Sequence, residues 1–187
     1  MSEQRVPVKN KLEVKVSKYM SYLLRHNPEN LNMDRHGFVG LEELLERVRE
    51  RFHVDKEFVF EVVEKSSRRR FEIVEDKIRA LYGHTIPVEL KLREDMAVKV
   101  LYHGTTSEAA SRILRVGLEP MKRKWVHLSP TKEIAVRVGS RRTRKPIVLI
   151  IDAEAARRDG ARFYKATDTV YLSKHIRPEY VRRALCA

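Results

Sequence analysis

The sequence holds a single cysteine, Cys186, beside its last residue. One thiol cannot close an internal disulfide, and it cannot build a cysteine-based zinc cluster. Long apolar runs are missing too. None approaches the ~20 residues that a bilayer-spanning helix needs, and the opening MSEQRVPVKNKLEV lacks the apolar core of a secretory signal. The expectation is a cytoplasmic protein with no membrane partner. There is no Gly-rich phosphate loop at a strand-to-helix turn, no close carboxylate cluster suited to magnesium and no HExxH pair. Repeats and low-complexity tracts are absent as well.

What is abundant is positive charge. Lys and Arg number 39 against 26 Asp and Glu, giving a formal net charge of +13 over 187 residues. Such a field favours a polyanionic partner, nucleic acid or an acidic membrane surface. Apolar residues make up 42% of the chain, enough for packed cores. The length permits one generous domain or two small ones.

The pattern along the chain points to two. Val16, Tyr19, Met20, Leu23 and Leu24 form a helical stripe, with Ser17 as a candidate cap and Asn27-Pro28 as the stop. Asp34-Arg35-His36-Gly37-Phe38-Val39 reads as a turn entering a short extended piece. Leu41, Leu44, Leu45, Val48 and Phe52 mark a second helix, and Phe58, Val59, Val62 and Val63 a third. Phe71–Val74 and Lys77–Leu81 would pair across Glu75-Asp76. Helices followed by a small hairpin suggest a winged-helix lobe over residues 1–90. Ile86–Lys91 is an extended connector without glycine or serine. Residues 91–187 favour strands: 98–103, ending at Gly104-Thr105-Thr106, then 126–129, 147–151 and two pieces near Phe163 and Val170-Tyr171. Helices are expected over 108–116, stopped by Gly117, from Thr131 to Val138, and after Pro178.

Several residues could carry chemistry. Arg25-His26 ends the first helix, either as a basic terminus favoured by the helix dipole or as a phosphate site. Arg79 alternates out of an apolar strand, toward water or a ligand. Gly83 in Tyr82-Gly83-His84-Thr85 suggests a turn or close backbone approach. His103-Gly104-Thr105 and His127-Leu128-Ser129 each place a histidine on a strand, in a shared cleft or satisfied independently. Gly104 would let a ring or carboxamide approach the backbone. The run from Arg137 to Lys145 is densely basic, and with Arg68, Arg69 and Arg70 it could form a basic groove.

Taken in order, LRHNP, GHT, YHGT, VHLS, VG-x-R and GARFYKATDTVYLS resemble the RNA 2′-phosphotransferases across about Val16 to Tyr180. The resemblance implies an α+β fold, with an N-terminal winged-helix lobe and a β-rich C-terminal lobe like the ADP-ribosyltransferases. It implies transfer of an internal RNA 2′-phosphate, of the splice-junction type, to NAD. The products would be 2′-OH RNA, nicotinamide and ADP-ribose 1″,2″-cyclic phosphate. The family's essential residues fall on Arg25, His26, Arg79 and Arg141. Its NAD pocket falls on His103, Gly104, Thr105, His127, Ser129 and Val170. Arg68, Arg69, Arg70, His84, Arg142 and Arg144 are candidate RNA contacts. NAD would serve as co-substrate without a metal, the RNA would be tRNA-like and the protein a monomer. Tyr82 stands where relatives often carry glutamine, and Arg142-Thr143 where they often carry histidine and glycine. Two other readings compete: a non-catalytic winged-helix nucleic-acid-binding protein, and an ADP-ribosyltransferase acting on nucleic-acid phosphate ends.

Overall fold

The computed structural model describes residues 11–66 and 69–184. The chain is mixed α+β, helical toward its N-terminus and sheet-rich toward its C-terminus. It divides into two compact units, residues 1–90 and 91–187.

The first unit is built on α1 (Lys11–Arg25), α2 (Leu41–Phe52) and α3 (Lys56–Glu64). The apolar stripe of α1 is fully buried at Val16, Met20, Leu23 and Leu24. Each such side chain contributes about 1.5–3 kcal/mol of transfer free energy, which holds the helix against α2 and α3. Ser17 is not the cap expected of it. The helix starts well before it, and Ser17 sits inside, accepting a hydrogen bond from Arg70 Nη1 at 2.7 Å. Asp55 does cap α3, its carboxylate accepting from the Phe58 amide at 2.8 Å. Three short strands, β1 (Val39–Gly40), β2 (Phe71–Val74) and β3 (Lys77–Ala80), form an antiparallel sheet in the order β1-β3-β2. The register pairs Phe71 with Ala80 and Glu72 with Arg79.

The second unit holds two three-stranded antiparallel sheets. One runs β4-β6-β9, from β4 (Val100–Thr105), β6 (Ile147–Asp152) and β9 (Val181–Arg183). The other runs β5-β8-β7, from β5 (Val126–Leu128), β7 (Tyr164–Thr167) and β8 (Val170–Ser173). Reciprocal 2.8 Å backbone hydrogen bonds between Tyr102 and Ser129 tie β4 to the end of β5. Helices α4 (Ser107–Val116), α5 (Lys132–Gly139) and α6 (Ala153–Arg158) fill the connections. Gly117 takes φ of +88° to end α4, as a C-terminal glycine should.

Three expectations change here. The strand expected to stop at Gly104 continues through Thr105. The close after Pro178 is one 3-10 turn, Pro178–Tyr180, and it leads into the unforeseen strand β9. Helix α6 was not foreseen either; its six residues are too few to show a period.

Candidate functional site

In the first unit the candidate residues gather where α1 ends. The last turn of a helix leaves carbonyls without partners. Here the Arg25 carbonyl accepts from the Thr85 amide at 2.9 Å, the Ile86 amide at 3.4 Å and the Thr85 hydroxyl at 3.3 Å. The segment Tyr82–Thr85 is thereby clamped onto the helix terminus. Arg25 is 8% exposed. Its guanidinium lies 4.8 Å from the Tyr82 ring centroid and 5.9 Å from that of Phe71, within cation–π range. Gly83 takes φ of +92°, and a Cβ there would stand 3.4 Å from Arg25 Nη1. A glycine at that point lets the chain turn close to the guanidinium. His26 is exposed, and its Nδ1 lies 3.1 Å from Thr85 Oγ1.

Arg79 leaves the apolar face of β3, as alternation requires, but it does not simply face water. It is bound to Glu72 across the hairpin, at 2.8 Å through Nε and 2.7 Å through Nη2, and lies 4.4 Å from the Phe38 centroid. Among the proposed RNA contacts, Arg68 lies outside the described residues. Arg69 is exposed, with φ of +38°. Arg70 is half-buried and spends its guanidinium on Ser17. His84 is 4% exposed and packs beside Gly37, so its ring belongs to the interior.

In the second unit His103 and His127 come together. His103 Nδ1 lies 3.0 Å from the His127 carbonyl oxygen, and His127 Nδ1 lies 3.0 Å from that of Trp125. A carbonyl only accepts, so each Nδ1 carries the proton and donates it. Burial pushes His103 below its ordinary pKa of 6.5, the His127 hydrogen bond opposes this, and the charge of Arg142 adds to it. The neutral ring then presents Nε2 as an acceptor. Thr105 and Ser129 are each only 5% exposed. Leu128 pairs with Tyr171; Val170 precedes Tyr171 on β8, and Ser129 follows Leu128 just past the end of β5. Arg141, Arg142 and Arg144 are all exposed just after α5.

Gly104 packs closely against a helix. A Cβ on it would lie 1.8 Å from the Ala135 carbonyl oxygen, and one on Gly139 would lie 3.1 Å from the Gly104 carbonyl carbon. The glycine is there because α5 packs directly on β4. On the side where a Cβ would stand, the space is filled by helix backbone. A cavity of about 360 Å³ does occur in this unit, lined by Asp159, Arg162, Tyr164, Lys174, Arg177 and Tyr180 among others. None of the candidate residues lines it. Among the described residues no group of three or more His, Cys, Asp or Glu side chains could hold a metal ion.

Sequence reasoning passed over Glu72, Thr85 and the stacking role of Tyr82. Glu72 was readable, since a hairpin turning at Glu75-Asp76 sets it opposite Arg79. Thr85 and Tyr82 carried only the hint of their place in the YGHT segment.

Comparison with known proteins places the chain in a class. Residues 11–175 match the family model described as RNA 2′-phosphotransferase, Tpt1 / KptA family. A "Probable RNA 2′-phosphotransferase" of Pyrococcus furiosus is 45% identical over 174 residues, covering 91% of this chain and 95% of that protein. Proteins of the same description from Flavobacterium johnsoniae and Acetivibrio thermocellus are 41% and 39% identical. The first match covers 89% of this chain and 93% of the relative, the second 90% and 95%. The chain belongs to the RNA 2′-phosphotransferase family.

Proposed function

We propose that the protein removes an internal 2′-phosphate from RNA by transferring it to NAD. Unit 1 would act as a winged-helix RNA-binding lobe and unit 2 as an NAD-binding lobe of the ADP-ribosyltransferase type. The observation that carries this reading is the run of six motif segments, in order, along a basic chain of this family.

Two steps account for the products. In the first, an oxygen of the RNA 2′-phosphate bonds to the anomeric carbon of the nicotinamide riboside. The glycosidic C–N bond breaks, its electron pair neutralises the pyridinium, and nicotinamide leaves. That departure needs little acid help, so the demand is alignment of two anionic partners. The second step acts on the resulting RNA-2′-phospho-ADP-ribose. The 2″-hydroxyl oxygen bonds to phosphorus and loses its proton. The bond from phosphorus to the RNA 2′-oxygen breaks, and that oxygen takes up a proton. Charge on the phosphoryl oxygens must be stabilised throughout. Arg25, Arg79 and Arg141 suit that duty, and His26 suits the proton transfer.

The residues present are compatible with NAD as co-substrate. His103, neutral and held by its Nδ1 proton, suits a ribose hydroxyl as donor to Nε2. Thr105, His127, Ser129 and Val170 would complete that pocket, with Gly104 contributing its packing against α5.

A short RNA bearing one internal 2′-phosphate, incubated with and without NAD, tests the proposal. Phosphate should be lost only when NAD is present. Phosphate that persists with NAD, or is lost without it, sinks the reading.

A further inference from the structure

His26 is the residue whose protonation state matters most to the second step, yet it is exposed and ends a helix. A ring in that position needs something to fix its orientation and its tautomer. We infer that Thr85 is a positioning residue for His26: it holds the Nδ1 proton of the imidazole, so that Nε2 is the nitrogen offered to the reacting groups. The inference rests on the functional reading above for its consequence, but its geometry stands alone.

Three hydrogen bonds carry it. The Thr85 amide donates to the Arg25 carbonyl at 2.9 Å, which fixes the threonine backbone against the end of α1. The Thr85 hydroxyl lies 3.3 Å from the same carbonyl. A carbonyl cannot donate, so this contact is made with the hydroxyl proton pointing toward Arg25, which leaves the oxygen's lone pairs for another donor. His26 Nδ1 sits 3.1 Å from that oxygen. With the hydroxyl proton already committed, Oγ1 accepts from Nδ1–H. The order of donation is therefore His26 to Thr85 to the Arg25 carbonyl. In a neutral imidazole the partner of one nitrogen decides which nitrogen carries the proton. Thr85 thus selects the Nδ1–H form and leaves the lone pair on Nε2.

The same anchor couples the two neighbours. Arg25 and His26 are consecutive, so a carbonyl held by Thr85 fixes the peptide unit joining them. The guanidinium of Arg25 is seated on Tyr82, three residues before Thr85. The YGHT segment sets both side chains from one short stretch of chain. This gives the hydroxyl in it a chemical reason: valine has the shape of threonine but cannot accept from Nδ1.

The test uses the full chain and Thr85→Val, with Thr85→Ser as the conservative variant and Thr85→Ala as a second deletion that adds no bulk. Both deletions keep the amide bond to Arg25, and thermal melting checks their folding. Side-chain ¹⁵N NMR at about pH 8.5, where an ordinary histidine is neutral, reads the His26 tautomer; His26→Gln identifies its signals. We expect the Nδ1–H form in the wild type and in Thr85→Ser, and loss of that preference in Thr85→Val and Thr85→Ala. Turnover of 2′-phosphorylated RNA should fall about 10–100-fold in the two deletions, the loss seen when a metal-bound histidine is deprived of its outer hydrogen-bond partner. Serine should restore most of it. A wild-type His26 in the Nε2–H form, or a tautomer unchanged by deletion, overturns the assignment. So does a shifted tautomer with undiminished turnover. A wild type that turns over no RNA at all defeats the proposed function instead, and the NMR result still decides the hydrogen bond.

Discussion

Replacing Gly104 by alanine distinguishes two roles for that glycine. The added Cβ would fall 1.8 Å from the Ala135 carbonyl oxygen and 3.0 Å from the Gly139 amide nitrogen. Ordinary contact begins near 3.4 Å, so strand and helix must separate by roughly 1.6 Å. The colliding atoms are backbone, and no side-chain rotation relieves them. Gly104 is also paired to Val148 inside β4–β6, and Ala135 is fully buried, so neither partner is free to drift. Overpacking of a tight core costs about 1–3 kcal/mol and occasionally more; a backbone collision belongs at the upper end, about 3 kcal/mol. At roughly 4–8 °C per kcal/mol for a unit of this size, the melting transition of residues 91–187 should fall by about 12 °C or more. Scanning calorimetry of the full chain reads this. A variant that melts normally but has lost only its use of NAD would refute the packing argument and return Gly104 to a ligand-access role.

Other changes test separate parts of the structure. His26→Ala and Arg25→Ala should each slow the second step by about 10²–10³, the cost of one lost transition-state donor. With NAD in excess, a denaturing gel should then reveal accumulated RNA-2′-phospho-ADP-ribose; a normal rate, or a block before any adduct forms, contradicts this division of labour. His103 has its folded pKa depressed, so its neutral form favours folding. That stability is present above the unfolded value of 6.5 and is lost as pH falls through the lower folded pKa. His103→Gln should flatten the slope of denaturant stability below pH 6.5, and an unchanged slope would count against burial of the ring. Tyr171 donates to Asp95 Oδ2 at 2.7 Å, and burial together with that carboxylate pushes its hydroxyl up to about 12. Tyr171→Phe should cost about 1.5–3 kcal/mol, the worth of a hydrogen bond to a charged group, as read by urea unfolding at neutral pH.

Much of the fold was legible because burial imposes periods on the sequence. The stripe on α1, the spaced leucines of α2 and the alternation in the β2–β3 hairpin each reflect one apolar face seeking a core. Elements without such a face were not legible. Strand β9 has one buried residue of three, and its pairing with β6 involves residues thirty or more positions away. Ser17 looked like a cap because local chemistry permits it. Only the fold shows that the helix continues past it and that Arg70, distant in sequence, claims its oxygen. The candidate site divides in the same way. Residue types named the chemistry of Arg25, His26 and His103, while their partners Thr85, Tyr82 and the His127 carbonyl are contacts between separated segments. Gly104 shows the limit most clearly. Glycine announces close approach, but the sequence does not say whether a ligand or a helix does the approaching.

In the proposed reaction the RNA phosphate leaves on NAD rather than as inorganic phosphate. The most direct measurement follows an RNA radiolabelled at one internal 2′-phosphate and counts nicotinamide released against label transferred. Equal amounts are expected, with all the label recovered in ADP-ribose 1″,2″-cyclic phosphate. Label appearing as inorganic phosphate, or leaving the RNA without matching nicotinamide, would contradict it.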